Sequence, residues 1–284
     1  MKTIDKISDM QSMVRQLRRN GDIIGLVPTM GYLHQGHISL IRIARKKCDT
    51  LVVSIFVNPT QFCPGEDFDK YPRDMKRDQK ICSDEGVDII FAPSTQEMYP
   101  DKSGYSAYVD MAGDITDVLC GKYRPGHFRG VMTIVAKLFN IIQPDVAVFG
   151  QKDGQQAVII KKMVMDLNFP IDIIIGPTIR ESDGLALSSR NKYLTAEQRK
   201  QAPAIYKSLM LAKNMIQNGE RDAKKIIQNM SEFIINSGDF KIQYIDIVDM
   251  NTLQSLEHIE GEIMIALAVF LGETRLIDNI ILRI

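Results

Sequence analysis

Two of the four histidines of the chain, His34 and His37, lie within the segment PTMGYLHQGH, residues 28–37. A short β-branched run before this segment and apolar residues at helical spacing after it predict a strand-to-helix turn. The first N–H groups of a helix have no partner within the helix, and together with the helix dipole they favour anions. The segment therefore predicts a phosphate or nucleotide site. The alternative is a structural turn in which one histidine caps the helix and the other is solvated.

The elements around this segment form a βαβ unit. Apolar runs at residues 23–27 and 51–57 are predicted to be buried strands with a helix between them. The crossover of such a unit is right-handed, so the strands are parallel and their carboxyl ends lie at one edge of the sheet, where open α/β sheets bind ligands. We therefore expect four polar side chains to gather around one crevice at that edge: His34, His37, Asn58 and Gln61.

The alternation of strands and helices continues to about residue 178 and then stops. The pattern predicts a loop and an exposed helix over residues 66–80, a helix through residues 134–142, and strands at 87–91, 145–149 and 171–175. Farther on it predicts one helix over 195–217, another over 222–235, and strands at 243–248, 262–270 and 275–282. This order predicts an α/β domain, residues 1–178, followed by a smaller α+β domain, residues 179–284.

Charge and cysteine content narrow the possible function. Lys+Arg and Asp+Glu both number 35, so the net charge is zero, which argues against bulk binding of nucleic acid or of a membrane surface. The longest apolar run, Ile263 to Leu271, is shorter than the ~20 residues that span a bilayer. The four cysteines lack C-x-x-C spacing, which is typical of a reduced protein, so we expect a cytoplasmic location.

Several other side chains are candidates for holding an anion. Lys152 follows a predicted strand end, and with Asp153 and Gln156 beside it the pattern favours a ligand-binding turn over a lone surface lysine. The loop Ser188-Ser189-Arg190 offers hydroxyls and a guanidinium to phosphate oxygens, although such loops are usually only solvated. Two more candidates flank a proline and have a similar alternative, an ordinary surface turn: Arg124 and His127.

Familiar metal and dinucleotide motifs are absent from the sequence. It contains no G-x-x-x-x-G-K-[ST], no G-x-G-x-x-G and no H-E-x-x-H, which argues against a P-loop and a dinucleotide cofactor. His34, His37 and His127 would supply three ligands to zinc, but no Glu or Cys stands at a supporting spacing. We therefore expect no metal ion held by protein side chains alone.

Seven segments taken together resemble the pantothenate synthetase (pantoate–β-alanine ligase) family. In chain order they are PTMG with HQGH (28–37), FVNP with QF (56–62), EDF with YPR (66–73), RPGHF (124–128), KDGQQ (152–156), DGLA with SSRN (183–191) and RLIDN (275–279). They follow the family's order over nearly the whole chain.

The resemblance implies the nucleotidylyltransferase superfamily with the histidine-x-glycine-histidine signature. The implied fold is a Rossmann-like parallel-sheet N-terminal domain with a smaller α+β C-terminal lid domain, assembled as a homodimer. The implied reaction has two steps: pantoate attacks the α-phosphorus of ATP to give pantoyl adenylate and pyrophosphate, and β-alanine then displaces AMP to give pantothenate, a precursor of coenzyme A. Mg²⁺ would bridge the phosphates, largely through ATP oxygens and water.

The resemblance also implies roles for individual residues. The groups that would hold the ATP phosphates and stabilise the pentacoordinate state are His34, His37, Lys152, Ser188, Ser189 and Arg190. The groups that would bind pantoate are Gln61, Gln156, Asn58 and the backbone near Met30. Gly150 and Asp153 resemble the ribose contacts and the backbone near Ile179 the adenine contact, while Arg124, His127 and Tyr71 match family segments near the active site.

Two positions beside Lys152 depart from the family pattern, and two other functions compete. Gln151 replaces a frequent acidic residue, and Gly154 is expected to loosen the helix start, while the sequence leaves the effect of both residues on nucleotide affinity open. One rival is another adenylate-forming or nucleotidylyl-transferring enzyme of the superfamily, such as one of the aminoacyl-tRNA synthetase kind; neutral charge and short length argue against a tRNA enzyme. The other is a nucleotide sensor without chemistry, which the intact polar set disfavours.

Overall fold

The computed structural model describes residues 1–100 and 106–284. The helices in chain order are α1 (Ile7–Asn20), α2 (Gln35–Arg45), α3 (Met75–Asp84), α4 (Thr95–Met98), α5 (Cys120–Tyr123), α6 (His127–Ile142), α7 (Gly154–Asp166), α8 (Ala196–Gln201), α9 (Ala204–Gln217) and α10 (Ala223–Asn236). The strands are β1 (Lys2–Ile4), β2 (Ile24–Thr29), β3 (Thr50–Ile55), β4 (Ile89–Phe91), β5 (Val146–Gly150), β6 (Asp172–Gly176), β7 (Phe240–Asp249), β8 (Glu262–Leu271) and β9 (Thr274–Arg283). Short 3₁₀ turns lie at Pro59–Gln61, Gln151–Asp153 and Ser189–Tyr193.

The chain divides into two compact units. Unit 1 comprises Met1–Thr116, Arg124–Gly150 and Ile159–Gly176. Unit 2 comprises Asp117–Tyr123, Gln151–Val158 and Pro177–Ile284. The domain ranges 1–178 and 179–284 stay a prediction, because two short earlier segments group with the C-terminal part of the chain.

Unit 1 is built on a parallel sheet of six strands in the order β1-β4-β3-β2-β5-β6. From β2 the chain builds outward through β3 to β4, and it then returns to the other side of β2 to add β5 and β6. The strand order therefore reverses between β2 and β5, whose pairing is Gly25 with Val146 and Leu26 with Ala147. Ligands of open α/β sheets bind at the carboxyl ends of the strands at such a switch point.

The core of unit 1 explains why these strands read as continuous apolar runs. β2 and β3 lie in the interior of the sheet, and Leu26, Val27, Leu51 and Val53 have no exposed surface. Helix α2 contributes Ile41 and Ala44 to the same core, in the spacing that predicted it. The buried apolar residues thus hold β2 and β3 in the sheet, and the polar turns begin where these strands end.

Unit 2 combines helices α8 to α10 with the antiparallel sheet β7-β8-β9. Its central strand β8 pairs along its whole length with β9, from Glu262 with Arg283 to Leu271 with Thr274. The buried faces of α9, α10 and β8 form one apolar cluster. The predicted three strands of this part are confirmed.

Two predictions about elements are wrong. The first sheet has a sixth strand, β1, at its edge, because three residues are too few to show a strand period. The single helix predicted over 195–217 is two helices, since Pro203 lacks the N–H that would continue α8 into α9. The helix predicted to be exposed, α3, is exposed at most of its positions, and it buries Asp78 and Cys82.

No helix within the described residues has the length and apolar character needed to cross a membrane.

Candidate active site

The histidine pair forms the start of α2, directly after β2. His34 is the N-cap residue, and its Nδ1 accepts the N–H of Gly36 at 3.1 Å, while Nδ1 of His37 accepts the N–H of His34 at 3.3 Å. The ring centroids are 4.1 Å apart. A ring nitrogen that accepts a hydrogen bond carries no proton, so each neutral ring has its proton on Nε2. The predicted alternative, a histidine cap, is therefore real, and it also makes Nε2 of each ring a donor.

A buried carboxylate holds the turn in front of these histidines. Asp78 of α3 is 1% exposed and accepts the N–H of Tyr32 at 2.7 Å and the N–H of Leu33 at 2.8 Å. Burial raises the pKa of Asp78, and the two backbone hydrogen bonds oppose that rise without cancelling it. Because these N–H groups lie in a non-helical turn, Asp78 supplies the acceptors that secondary structure does not. No pattern in the sequence had marked Asp78 as a candidate for the site.

Three of the predicted pantoate-binding residues lie together in unit 1. The amide Nε2 of Gln61 donates to Sδ of Met30 at 3.0 Å, and Nδ2 of Asn58 donates to Oε1 of Gln61 at 3.2 Å. Asn58 is 1% exposed, and its side chain also donates to the carbonyl of Gly130 at 3.1 Å and accepts from Tyr99 at 2.9 Å. The side chain of Asn58 is thus committed to the protein and orients Gln61.

Arg124 and His127 clamp the backbone of Gln61. Nδ1 of His127 lies 2.6 Å from the carbonyl oxygen of Gln61, and Nε2 lies 2.9 Å from Nη1 of Arg124. A guanidinium only donates, so Nε2 is the acceptor and the Nδ1 proton points to Gln61. Arg124 Nη2 also donates to that carbonyl at 3.3 Å.

Glu66 neutralises this clamp. Its carboxylate receives Nε of Arg124 at 2.6 Å and Nη2 at 2.7 Å, a bidentate pair. Burial raises the pKa of Glu66, but the hydrogen bonds and charge of Arg124, the backbone N–H of Cys63 and the charge of His127 together outweigh burial and leave the pKa lowered. Tyr71, the other residue that matched a family segment here, is 6% exposed and packs edge-on against Phe62 with ring centroids 6.0 Å apart. Arg124 and His127 are therefore not the surface turn of the alternative interpretation.

The second group of predicted site residues follows β5. Gly150 is the last residue of β5, at the switch point, and Lys152 and Asp153 lie in the 3₁₀ turn that follows it. The ammonium of Lys152 is 3.7 Å from Oδ1 of Asp153, whose side chain is 49% exposed. Gln156, half-buried, lies in the first part of α7.

Asn279 of β9 bonds to this turn within unit 2. Its Nδ2 donates to the carbonyls of Gln151 and Lys152, both at 2.9 Å. Gly154 was expected to loosen the start of α7. In the structure Gly154 is buried, and a Cβ there would lie 2.6 Å from Sδ of Met264. The glycine is the residue that allows this close packing.

The loop before α8 holds the remaining candidates, also in unit 2. The carbonyl of Ile179 accepts the N–H of Leu187 at 2.9 Å, which closes the loop. Oγ of Ser188 accepts the N–H of Arg190 at 3.3 Å and caps the 3₁₀ turn, and Ser189 is 9% exposed. The loop is thus a hydrogen-bonded structure rather than a merely solvated segment.

Across the described ranges, 1–100 and 106–284, no group of three or more His, Cys, Asp and Glu side chains is placed to hold a metal ion.

A family model described as Pantoate-beta-alanine ligase matches residues 2–281. The chain belongs to the pantoate–β-alanine ligase family. The pantothenate synthetase of Acetivibrio thermocellus is 55% identical over 284 residues, 100% of both chains, and that of Moorella thermoacetica is 54% identical over 284 residues, 100% of this chain and 99% of the relative.

Solved structures of the family have the same fold. The pantothenate synthetase of Thermus thermophilus superposes with a TM-score of 0.93 at 41% identity, covering 99% of both chains. The pantoate-beta-alanine ligase of Francisella tularensis, complexed with beta-gamma ATP and beta-alanine, superposes with a TM-score of 0.80 at 37% identity, covering 99% of this chain and 97% of that chain. The predicted family and fold class are confirmed.

Proposed function

We propose that the chain is a ligase that uses ATP to join pantoate to β-alanine through a pantoyl-adenylate intermediate. Membership of the family gives the overall reaction. The observation that supports adenylation is the histidine turn after β2, at the switch point, where Nδ1 of both rings accepts a backbone N–H. Two neutral Nε2–H donors beside the start of a helix suit phosphate oxygens. The complex of the Francisella tularensis relative with beta-gamma ATP and beta-alanine supports ATP and β-alanine as ligands.

In the first step, a carboxylate oxygen of pantoate attacks the α-phosphorus of ATP, and the bond to the bridging oxygen breaks as pyrophosphate leaves. Negative charge builds up on the phosphate oxygens in the transition state, and donors fixed in advance stabilise it. We assign this role to six residues: His34, His37, Lys152, Ser188, Ser189 and Arg190. Gly150 and Asp153 are assigned to the ribose, and the backbone of Ile179 to adenine.

The ATP is proposed to bind as its Mg²⁺ complex, in which the ion would neutralise part of the phosphate charge. Such an ion keeps several waters and takes its remaining oxygens from phosphates and one or two carboxylates. The carboxylate of Asp153 is assigned to the ribose, and the side chains assigned to the phosphates are hydrogen-bond donors, so phosphate oxygens and water would supply the ligands of the ion. The residues present therefore fit a magnesium–nucleotide complex.

Pantoate is assigned to the amides of Gln61 and Gln156 and to the backbone of Met30. Asn58 stays a predicted member of this group, and its bonds to Gln61 and Gly130 indicate that it contributes by orienting Gln61. The pair Arg124 and His127 contributes in the same way, because both side chains fix the carbonyl of Gln61. Tyr71, the third residue of that predicted group, packs against Phe62 in the same part of unit 1.

In the second step, the neutral amine of β-alanine attacks the acyl carbon of the adenylate. The C–N bond forms as the acyl–phosphate bond breaks, and AMP leaves with the bonding pair. Since no covalent bond to the protein is made, the contribution of the chain is orientation and charge stabilisation. A homodimer, a cytoplasmic location and a lid role for the C-terminal domain belong to the same proposal, because the resemblance to the family or the sequence composition implies them.

Exchange of labelled pyrophosphate into ATP tests the adenylation step. We expect exchange that depends on pantoate and on Mg²⁺, and Lys152→Ala should lower its rate about 100- to 1,000-fold, the usual loss on removing one donor to a transition-state oxyanion. Lys161→Ala, which removes an exposed lysine of α7, is the matched control and should leave the rate unchanged. Exchange without pantoate, or driven only by another acid, would overturn the proposed substrate.

A further inference from the structure

Two consecutive polar residues of β9, Asp278 and Asn279, are each 3% exposed and have no part in the function proposed above. They end the segment RLIDN, residues 275–279, which matches the family without an assigned chemical role. Buried polar side chains in a strand are costly unless each makes hydrogen bonds. The hydrogen bonds that Asp278 and Asn279 make therefore indicate their structural role.

Asn279 uses both amide protons on the turn that carries Lys152. Nδ2 donates to the carbonyl of Gln151 and to the carbonyl of Lys152, each at 2.9 Å. A primary amide has two donors, and both are committed here. These two carbonyls belong to a three-residue 3₁₀ turn between β5 and α7, so the turn is fixed against β9 by one side chain that is 127 residues away from Lys152 in the sequence.

The packing around Gly154 leaves the turn little room to move. A Cβ at Gly154 would lie 2.6 Å from Sδ of Met264 and 3.1 Å from Nδ2 of Asn279, so backbone and sheet are already in contact. Met264 lies on β8 and pairs with Ile281 of β9. The end of the turn therefore packs against both strands, and Asn279 sets its distance from them.

Asp278 ties a second segment to the same point of β9. Its carboxylate forms a bidentate pair with Arg180, through Nη1 to Oδ2 and Nη2 to Oδ1. Burial raises the pKa of Asp278, and the Arg180 pair opposes that rise. Arg180 follows Ile179 directly, and its Nη2 also donates to the carbonyl of Asn279 at 3.4 Å. One dipeptide of β9 thus anchors both the Lys152 turn and the start of the Ile179–Arg190 loop.

We propose that Asn279 is a positioning residue for adenylation, which holds the backbone of Gln151 and Lys152 so that the Lys152 ammonium is placed for the phosphates. The inference rests on the role proposed for Lys152. It explains why a buried amide, rather than an apolar residue, occupies this place in β9. An apolar side chain would leave two carbonyls of an irregular turn without their donor.

The test uses Asn279→Asp, which keeps the size of the side chain but turns oxygen atoms toward both carbonyls. The full-length variant is compared in pantoate-dependent pyrophosphate exchange. We expect the exchange rate at saturating substrates to fall about 30-fold or more, since a shift of about 1 Å in a catalytic group costs up to 100-fold, while the KM for pantoate changes less than about twofold. Thr274→Ala, which removes a buried side chain five residues away on β9, is the matched control and should keep the parent rate.

A double-mutant cycle separates positioning from a general structural role. In a Lys152→Ala background, Asn279→Asp should reduce the residual exchange less than about threefold, because residues that act through one another are not additive. Equal fold-losses in both backgrounds, or an unchanged rate in Asn279→Asp, would overturn the inference while leaving the role of Lys152 intact. A near-normal rate in Lys152→Ala would instead reject that role and the inference with it. If Asn279→Asp does not fold, Asn279→Ala removes the donors without adding charge and must show the same non-additivity.

Discussion

Replacing Gly130 by alanine should damage the part of unit 1 that is proposed to bind pantoate more than any exposed substitution. Gly130 lies in the first part of α6, where the helix passes the 3₁₀ turn Pro59–Gln61. A Cβ at this position would lie 2.2 Å from the carbonyl oxygen of Thr60 and 2.8 Å from the backbone nitrogen of Gln61. Ordinary C···O contacts are about 3.3–3.6 Å, so helix and turn must separate by about 1 Å.

Opposing effects decide the magnitude. Alanine gains about 1 kcal/mol over glycine in a helix interior. Overpacking costs about 1–3 kcal/mol, and it is at the upper end here because the atoms that clash are backbone atoms. The separation also weakens the bond from Nδ2 of Asn58 to the carbonyl of Gly130, and a buried acceptor left without its donor costs about 1–3 kcal/mol. We expect a net loss of about 3–5 kcal/mol in the unfolding free energy.

The same shift should lower activity, because Asn58 and the clamp of Arg124 and His127 both orient Gln61. A displacement of about 1 Å in a binding group lowers the rate up to 100-fold, so the kcat/KM for pantoate should fall by about that factor. Urea unfolding gives the stability, and pyrophosphate exchange at varied pantoate gives the activity. Asn140→Ala, an exposed change in the same helix, is the control and should be neutral. A Gly130→Ala protein with parent stability and parent kcat/KM would refute the reasoning.

Two further predictions concern a buried carboxylate, Asp78, and a partly buried one, Glu66. Asp78→Asn keeps one acceptor for the N–H groups of Tyr32 and Leu33 and places an NH₂ group against the other. We expect the unfolding free energy measured in urea to fall by about 1–3 kcal/mol, less the gain from no longer burying a charge, and pyrophosphate exchange to slow. A variant that exchanges pyrophosphate at the parent rate would contradict this prediction. Glu66 has a lowered pKa in the folded state, so its contact with Arg124 stabilises the protein above the ordinary glutamate pKa of about 4.3 and is lost as pH falls through the lower folded pKa. Urea unfolding between about pH 7 and 3 should therefore show a smaller acid loss for Glu66→Gln than for the parent, whereas parallel curves would rule out this contribution.

The fold was predictable where apolar periodicity is continuous. β2 and β3 are interior strands of a parallel sheet, buried on both faces, and their sequences are therefore mostly apolar, with Thr29, Thr50 and Ser54 as the polar exceptions. β1 was not predicted, because an edge strand of three residues, two of them exposed, has no continuous apolar run. The break between α8 and α9 was present in the sequence as Pro203, and the apolar spacing on both sides of it favoured a single helix wrongly.

The residues of the candidate site fall into two classes, which differ in how readily the sequence alone identifies them. Those whose types suggest direct contact with a ligand, such as His34, His37 and Lys152, stand at strand ends and can be found by type and position. Those that hold the backbone beneath them, Asp78 and Asn279, lie on other elements.

These supporting residues have no local signature, because their partners are distant in sequence. Asp78 accepts a hydrogen bond from a backbone N–H 45 residues away, and Asn279 donates to a carbonyl 127 residues away. The partners are main-chain groups, so no complementary side chain marks the other end of the bond. Polar residues that interrupt the apolar residues of a strand, as Asp278 and Asn279 do in β9, or that lie in the buried face of a charged helix, as Asp78 does in α3, are the one sign that sequence offers. Such residues must find hydrogen-bond partners, and in this protein Asp78 and Asn279 find them in the turns beside the residues that are proposed to bind the phosphates.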